Sequence, residues 1–315
     1  MLDVKNQRSN MPKKRPDFLI VGMERSGTHW VAGLLNGHPD IACFPSLPFR
    51  PEEGGNKIGE VHFFDTLVSI DGDNPDKYTR PILDWLTKYN RVFADLVGQK
   101  DKVSKEDFVT MSMKRYRDYC DSQRGEKRIV GEGSPAYIFH LDFIDFLYPS
   151  IPKICIIRDP KDKIVSWYFN KMVRKGTDTI PSITKDFAFD YLEKRVIKEY
   201  EALLNYEGNI HCITYEKLSE DTSGVVKGMV DYLGIKATDD NISHMIENAA
   251  FQKQTARDSG LTAREKGEED PKSGLRKGVV GDWKNYLSND LARAIDESVK
   301  DLCNRVFEKY NIDHI

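Results

Sequence analysis

The chain contains no run of about 18 apolar residues, so no stretch of it reads as a membrane span. It contains no internal repeat and no low-complexity tract. Its five cysteines (Cys43, Cys120, Cys155, Cys212 and Cys303) are scattered, odd in number and form no Cys-x-x-Cys pair, which argues against a disulfide framework or a zinc ribbon. The seven histidines lie far apart, so no metal-ligand spacing is present and no metal site is expected. Charge of one sign is missing too: 47 Lys+Arg against 50 Asp+Glu gives a formal net charge of −3. That balance excludes a protein held to nucleic acid mainly by bulk charge, but leaves room for a local basic pocket. No apolar stretch precedes a cleavage site in the polar, basic segment Met1–Pro16 (Lys5, Arg8, Lys13, Lys14, Arg15), so it does not read as a secretory signal. A reducing cytoplasm without a membrane partner is the expected setting.

Hydrophobic residues make up 39% of the 315, enough to build a sizeable core. Residues 1–16 are expected to be a flexible arm and 17–315 a single domain. Asp17-Phe-Leu-Ile-Val-Gly22, a short apolar run ending in glycine, and Lys153-Ile-Cys-Ile-Ile157, a near-continuous one, read as strands of the kind buried on both faces of a parallel sheet. Cys155 and Cys212, inside apolar runs, read as buried thiols. Strands are also predicted at 60–64, 128–131 and 209–214, with helices at 26–36, 81–89, 104–120, 161–175, 187–206, 222–233, 239–249 and 289–310. Residues 45–59 and 252–281 read as loops. Strands alternating with helices predict an α/β domain with a central parallel sheet flanked by helices.

Val21-Gly-Met-Glu-Arg-Ser-Gly-Thr-His-Trp30 joins a strand, a glycine turn and a helix. Gly22 and Gly27 are spaced as in a phosphate-binding loop, which aims backbone N–H groups and a helix N-terminus at an anion. A nucleoside triphosphatase would carry Lys and then Ser or Thr after the second glycine. Thr28 and His29 stand there instead, and the cation sits inside the loop at Arg25. An ordinary strand–helix turn is the competing reading.

Arg25-Ser-Gly-Thr-His-Trp30 resembles the Lys-Ser-Gly-Thr-Thr-Trp loop of sulfotransferases that use 3′-phosphoadenosine 5′-phosphosulfate (PAPS). By that resemblance Arg25, Ser26, Gly27, Thr28 and His29 would grip the 5′-phosphosulfate. Arg25 would steady charge on the leaving phosphate, with a fork in place of an ammonium. Trp30 would lie near the adenine, or pack in the core. Arg158-Asp-Pro-Lys-Asp-Lys-Ile-Val-Ser166 resembles the family's 3′-phosphate motif, which assigns Arg158 and Ser166 to that group. Leu275-Arg-Lys-Gly-Val-Val-Gly-Asp-Trp-Lys-Asn285 resembles the segment that closes over the same phosphate, so Arg276, Lys277 and Gly278 carry over; Trp283 is expected to be structural. Tyr215 and Phe251 are matched to adenosine contacts. The implied fold is the sulfotransferase variant of the P-loop nucleoside-triphosphate-hydrolase type.

Gly59-Glu-Val-His-Phe-Phe-Asp65 resembles the Glu-x-His-Phe-Phe-Asp segment of heparan sulfate 3-O-sulfotransferases, where the glutamate is the base. Glu60 is thus the expected base, with His62 and Asp65 in support and His62 the runner-up. Read as a strand, 60–64 puts Glu60 and His62 on one face and Asp65 on the other parity. Gly131-Glu-Gly-Ser-Pro-Ala-Tyr137 resembles a Glu-Lys-Ser-Pro-x-Tyr segment, with Gly133 where relatives carry Lys. Glu132 would orient substrate or loop, or be an ordinary turn residue.

The resemblance implies transfer of a sulfuryl group from PAPS to a hydroxyl, or alternatively an amine, leaving adenosine 3′,5′-bisphosphate and needing no metal. The expected acceptor is a small metabolite or natural product, walled by residues 44–95 and 252–275. Phe49, Phe63, Phe64, Tyr78 and Trp85 are candidates either for that pocket or for the core. A homodimer is left open. Two other classes remain: a P-loop kinase using ATP and Mg²⁺, and a non-catalytic adenosine-phosphate-binding protein.

Overall fold

The structure is a computed structural model, which describes residues 16–44, 62–71, 104–174, 182–259, 263–271 and 273–312. Among the described residues five strands form the sheet: β1 (Phe18–Gly22), β2 (Ile41–Phe44), β3 (Ile129–Gly133), β4 (Lys153–Ile157) and β5 (His211–Thr214). All are parallel, in the order β2-β3-β1-β4-β5. The chain runs from central β1 to the edge, returns through β3, then crosses to β4 on the far side. The carboxyl end of β1 is therefore a topological switch point, where ligands of open α/β sheets bind.

Strand side chains alternate between the two faces. Leu19, Val21, Val130, Cys155 and Ile157 enter one core. Phe18, Ile20, Ile41, Cys43, Ile154, Ile156 and Ile213 enter the other. Gly131 has a packing reason: it pairs with Phe18, and a Cβ there would lie 2.0 Å from the Phe18 ring.

The second core takes α1 (Thr28–Asn36) and, after β5, α8 (Tyr215–Glu220), α9 (Thr222–Tyr232) and α10 (Asp239–Asn248). The first core takes the remaining helices up to β5: α2 (Phe63–Asp71), α3 (Lys105–Arg124), α4 (Leu141–Leu147), α5 (Pro160–Arg174), α6 (Lys185–Tyr191) and α7 (Ile197–Asn205). The carboxy-terminal α12 (Asn289–Tyr310) packs there too, while α11 (Phe251–Ser259) precedes the final loop. Hydroxyl side chains start several helices: Ser104 accepts from Asp107 N–H, and Thr238 forms a reciprocal capping box with Asn241. The central α/β parallel sheet flanked by helices agrees with the sequence reading.

Two expectations are corrected. The strand predicted at 60–64 is not one where it is described: His62 has φ 51° and Phe63 opens α2. Aromatic packing favours the helix, since Phe63 stacks on Tyr116 at 4.0 Å while Phe64 meets Tyr137 edge-on at 4.9 Å. Phe63 and Phe64 are thus core, at 1% and 0% exposure, and not walls of a pocket. The loop predicted at 252–281 opens with the helix α11. The predicted helix 187–206 is present as a continuous helical run over 185–205 that includes a π-helical stretch at Leu192–Val196. Cys155 is buried, and Cys212, its register partner on β5, is half-buried. The arm, the helix at 81–89, and Phe49, Glu60, Tyr78 and Trp85 lie outside the described residues.

Candidate active site

The phosphate loop follows β1 at the switch point. Gly22 is held against β4: Met23 N–H donates to the Ile156 carbonyl, and a Gly22 Cβ would sit 2.8 Å from that oxygen. Arg25 (φ 66°) and Gly27 (φ 102°) both take left-handed backbone, which turns the loop into the first turn of α1. At Gly27 a side chain would also strike Tyr215, whose Cδ2 lies 2.9 Å from the Cβ position. Ser26 is fully buried, and its hydroxyl has no partner among the described residues.

Segments far apart in sequence converge on this loop. Arg25 Nε donates to Ser166 Oγ at 3.0 Å, and Arg25 Nη2 to the Gly274 carbonyl at 3.2 Å. Arg158, at the end of β4, donates through Nη1 to the Arg25 carbonyl (3.3 Å) and through Nη2 to the Val279 carbonyl (3.2 Å). Its guanidinium lies 4.2 Å from the centre of the Tyr215 ring, while Arg158 Nε is buried without a partner among the described residues. Trp30 meets Tyr215 edge-on at 5.3 Å. Thr28 is buried, and His29 is half-buried beside it. Two buried donors, Ser26 Oγ and Arg158 Nε, thus lack acceptors in a loop built from N–H groups and cations. That is the condition an anionic ligand would relieve, so these residues fit a phosphorylated donor.

Asp162 is a structural residue that sequence reasoning passed over. Its carboxylate accepts from Gly281 N–H (2.8 Å) and Trp283 N–H (2.9 Å), which docks the 3₁₀ turn Asp282–Asn285 onto α5. Its position one helical turn after Arg158 was the available signal.

The Arg276–Gly278 turn reaches the same end of the sheet, with its cations already engaged. Arg276 pairs with Asp282 and Glu269 and lies over the Phe169 ring at 4.3 Å. Lys277 Nζ is 2.8 Å from Asp282 Oδ1. Burial opposes the Arg276 charge, but Asp282 and Glu269 outweigh it and raise its pKa. Gly278 has φ 72°, and a Cβ there would meet Phe251 at 2.6 Å. Phe251 therefore packs on this turn.

On the other side of the loop, β3 ends at Glu132 and Gly133, next to Ile20 of β1. Glu132 is fully buried and accepts from Tyr116 OH (2.8 Å) and Tyr137 OH (3.0 Å). Burial pushes its pKa up to about 8, against the two tyrosine hydrogen bonds. Tyr137 OH in turn accepts from Phe63 N–H at 3.0 Å, so Glu132 supports the first turn of α2. There His62 Nδ1 lies 2.7 Å from Asp65 Oδ2. Three positions apart on a helical turn, the two meet, whereas the predicted strand parity kept them apart. His140 Nε2 is 3.9 Å from Asp65 Oδ1, and burial lowers the His140 pKa. Among the described residues no group of three or more His, Cys, Asp or Glu could hold a metal ion. None of the described helices is long and apolar enough to cross a membrane.

A family model for the sulfotransferase domain matches residues 15–309. Sulfotransferase 2A1 of Rattus norvegicus is 28% identical over 179 residues, covering 54% of this chain and 62% of that protein. Sulfotransferase 2B1 of Mus musculus is 28% identical over 186 residues, covering 55% of this chain and 53% of that protein. The matched stretch thus spans less than two thirds of either relative. Among solved structures, a sulfotransferase from Alicyclobacillus acidocaldarius aligns over 95% of this chain and 97% of its own, with TM-score 0.51 and 19% identity, and so shares the fold. With its family model running from just before β1 to the last turn of α12, the chain belongs to the sulfotransferase family.

Proposed function

We propose that the protein transfers a sulfuryl group from PAPS to a hydroxyl, or alternatively an amine, of a small-molecule acceptor. The observation that carries this reading is the convergence of Arg25, Ser166, Arg158 and the 274–279 segment at one switch point, around two buried donors without acceptors.

Bound there, the donor supplies an activated sulfuryl group for in-line displacement. The chain's part is positioning and electrostatics. Ser26 and the N–H groups at the start of α1 face the phosphosulfate, and Arg25 neutralises charge growing on the leaving phosphate. Arg158, fixed by two carbonyls and the Tyr215 ring, offers its Nε toward the 3′-phosphate. Trp30, Tyr215 and Phe251 flank the adenosine, and Lys277 and Gly278 close over the 3′-phosphate. Glu60 accepts the acceptor's proton, with the paired His62 and Asp65 in support. The setting is cytoplasmic, and the acceptor a small metabolite or natural product.

The test is sulfation of a panel of phenols, aliphatic alcohols and amines with radiolabelled PAPS, with calorimetric binding of adenosine 3′,5′-bisphosphate alongside. Labelled product that depends on donor supports the reading. Tight binding with no product on any acceptor would leave a non-catalytic adenosine-phosphate protein, and Mg²⁺-dependent ATP consumption would mark a kinase. Thr28 and His29, where a kinase needs Lys and Ser or Thr, already speak against the last.

A further inference from the structure

We propose that Arg264 is a positioning residue for donor recognition: it shapes the Arg276–Gly278 turn and makes the site selective for a 3′-phosphate. No sequence motif marks Arg264, which falls in the charged, Gly-rich segment 252–281 predicted as a loop. In the structure residues 263–271 are a strap laid along that turn. Gly267 N–H donates to the Lys277 carbonyl at 2.9 Å, and Asp270 N–H to the Arg276 carbonyl at 2.9 Å.

Arg264 fastens the strap. Nη1 donates to the carbonyls of Arg276 (2.8 Å) and Glu268 (3.0 Å), and Nη2 to that of Leu275 (2.6 Å). One planar fork thus gathers three backbone oxygens from both sides of the strap, a pattern a lysine ammonium cannot reproduce. Its backbone N–H donates to Thr255 Oγ1 at 3.0 Å, tying the strap to α11. Its guanidinium lies 5.6 Å from the centre of the Phe251 ring, within cation–π range. Gly278, left-handed and pressed on the same ring, completes the arrangement. Arg264 therefore couples the aromatic ring beside the adenosine to the turn beside the 3′-phosphate, without itself touching ligand.

Why this should set selectivity follows from the side chains of the turn. The Arg276 guanidinium is committed to Asp282 and Glu269, and Lys277 to Asp282. With both cations partly neutralised, the turn's value to a dianion rests on where the backbone holds them, and Arg264 fixes the carbonyls of Leu275 and Arg276 directly.

This inference rests on the donor reading above, and the test separates the two. Binding of adenosine 3′,5′-bisphosphate and of adenosine 5′-phosphate is measured by calorimetry on the wild type, Arg264→Gln and Arg264→Lys. If the wild type does not prefer the bisphosphate, the donor reading itself fails. If it does, each folded variant is expected to lose roughly tenfold or more in bisphosphate affinity, with less than about threefold change for the monophosphate. Bisphosphate affinity within about threefold of wild type, or equal losses for both ligands, would overturn the role of Arg264. Arg264→Lys, which keeps charge and bulk, decides the question should Arg264→Gln lose its native circular dichroism. In steady-state assays the loss should fall on the KM for PAPS, leaving kcat little changed.

Discussion

Arg25 Nε donates to Ser166 Oγ across 3.0 Å, although 141 positions separate them. The bond joins the loop after β1 to the helix after β4, so one contact fixes the cation of the phosphate loop relative to the Arg158 strand end. Arg25 reaches it from a left-handed backbone that a non-glycine residue adopts at a cost of about 1 kcal/mol or more. Strain of this kind persists where surrounding contacts hold the conformation, and here they do.

Arg25→Ala is expected to lower kcat for sulfation by about a hundredfold or more, because it removes the charge beside the leaving phosphate. Arg25→Lys should recover part of that, since charge returns but the Nε–H donor to Ser166 does not. Ser166→Ala should cost less, about three- to tenfold in affinity for adenosine 3′,5′-bisphosphate. Initial-rate kinetics with calorimetry separates the three; an Arg25→Ala enzyme with wild-type kcat would remove Arg25 from the mechanism.

Glu132 makes a prediction about pH. Its folded-state pKa is pushed up to about 8 by burial, from an ordinary value of 4.5. Between those values the native state holds a proton that the unfolded chain has released, so stability falls as pH rises through that window, by at most about 1.4 kcal/mol per pH unit. Glu216, half-buried and pushed up to about 7, adds a slope of the same sign over its lower part. Glu132→Gln is therefore expected to flatten, without abolishing, the decline in denaturant midpoint between about pH 5 and 8. A variant whose midpoint still fell as steeply as wild type would show that Glu132 is not the titrating group.

What the sequence revealed and what it hid have physical causes. Apolar runs such as Lys153–Ile157 announce themselves because both faces of a parallel strand are buried. Strand ends carrying Arg25 and Arg158 were legible because glycine and proline punctuate them. The segment around His62 was not, since its apolar and aromatic neighbours Val61, Phe63 and Phe64 fit a strand or a helix. The choice fell to partners distant in sequence, namely Tyr116, Tyr137 and Glu132. Arg264 was invisible for a related reason: its contacts are to backbone carbonyls, which leave no signature in neighbouring side chains.

The base segment can be dissected by pH–rate profiles. Glu60→Ala should abolish most sulfation if Glu60 is the base, whereas His62→Ala should leave a slower enzyme whose acidic limb is shifted. Asp65→Asn removes the carboxylate 2.7 Å from His62 and is expected to slow sulfation as His62→Ala does, with the double variant losing less than the sum of the two, because they act as a pair. If Glu60→Ala were fully active and His62→Ala dead, the roles would be reversed, with His62 the base and Asp65 its orienting partner.

The last prediction concerns a buried ion pair behind the phosphate loop. Lys163 on α5 pairs with Glu199 on α7, with side-chain exposures of 0% and 2%. The other Glu199 oxygen accepts from Glu24 N–H at 2.9 Å, so the pair also holds the loop residue next to Arg25. Burial raises the Glu199 pKa, and the Lys163 ammonium and Glu24 N–H offset that in part. Breaking such a pair leaves one charge uncompensated in the interior. Lys163→Met or Glu199→Leu alone is therefore expected to destabilise by about 3–5 kcal/mol, while removing both partners costs much less. Chemical denaturation of the two single variants and of Lys163→Met/Glu199→Leu closes the cycle. In the double variant the fold recovers but Glu24 N–H loses its acceptor. Stability should therefore return toward wild type while affinity for adenosine 3′,5′-bisphosphate stays reduced. Recovery of both together would mean that the pair serves only the core and does not hold the loop.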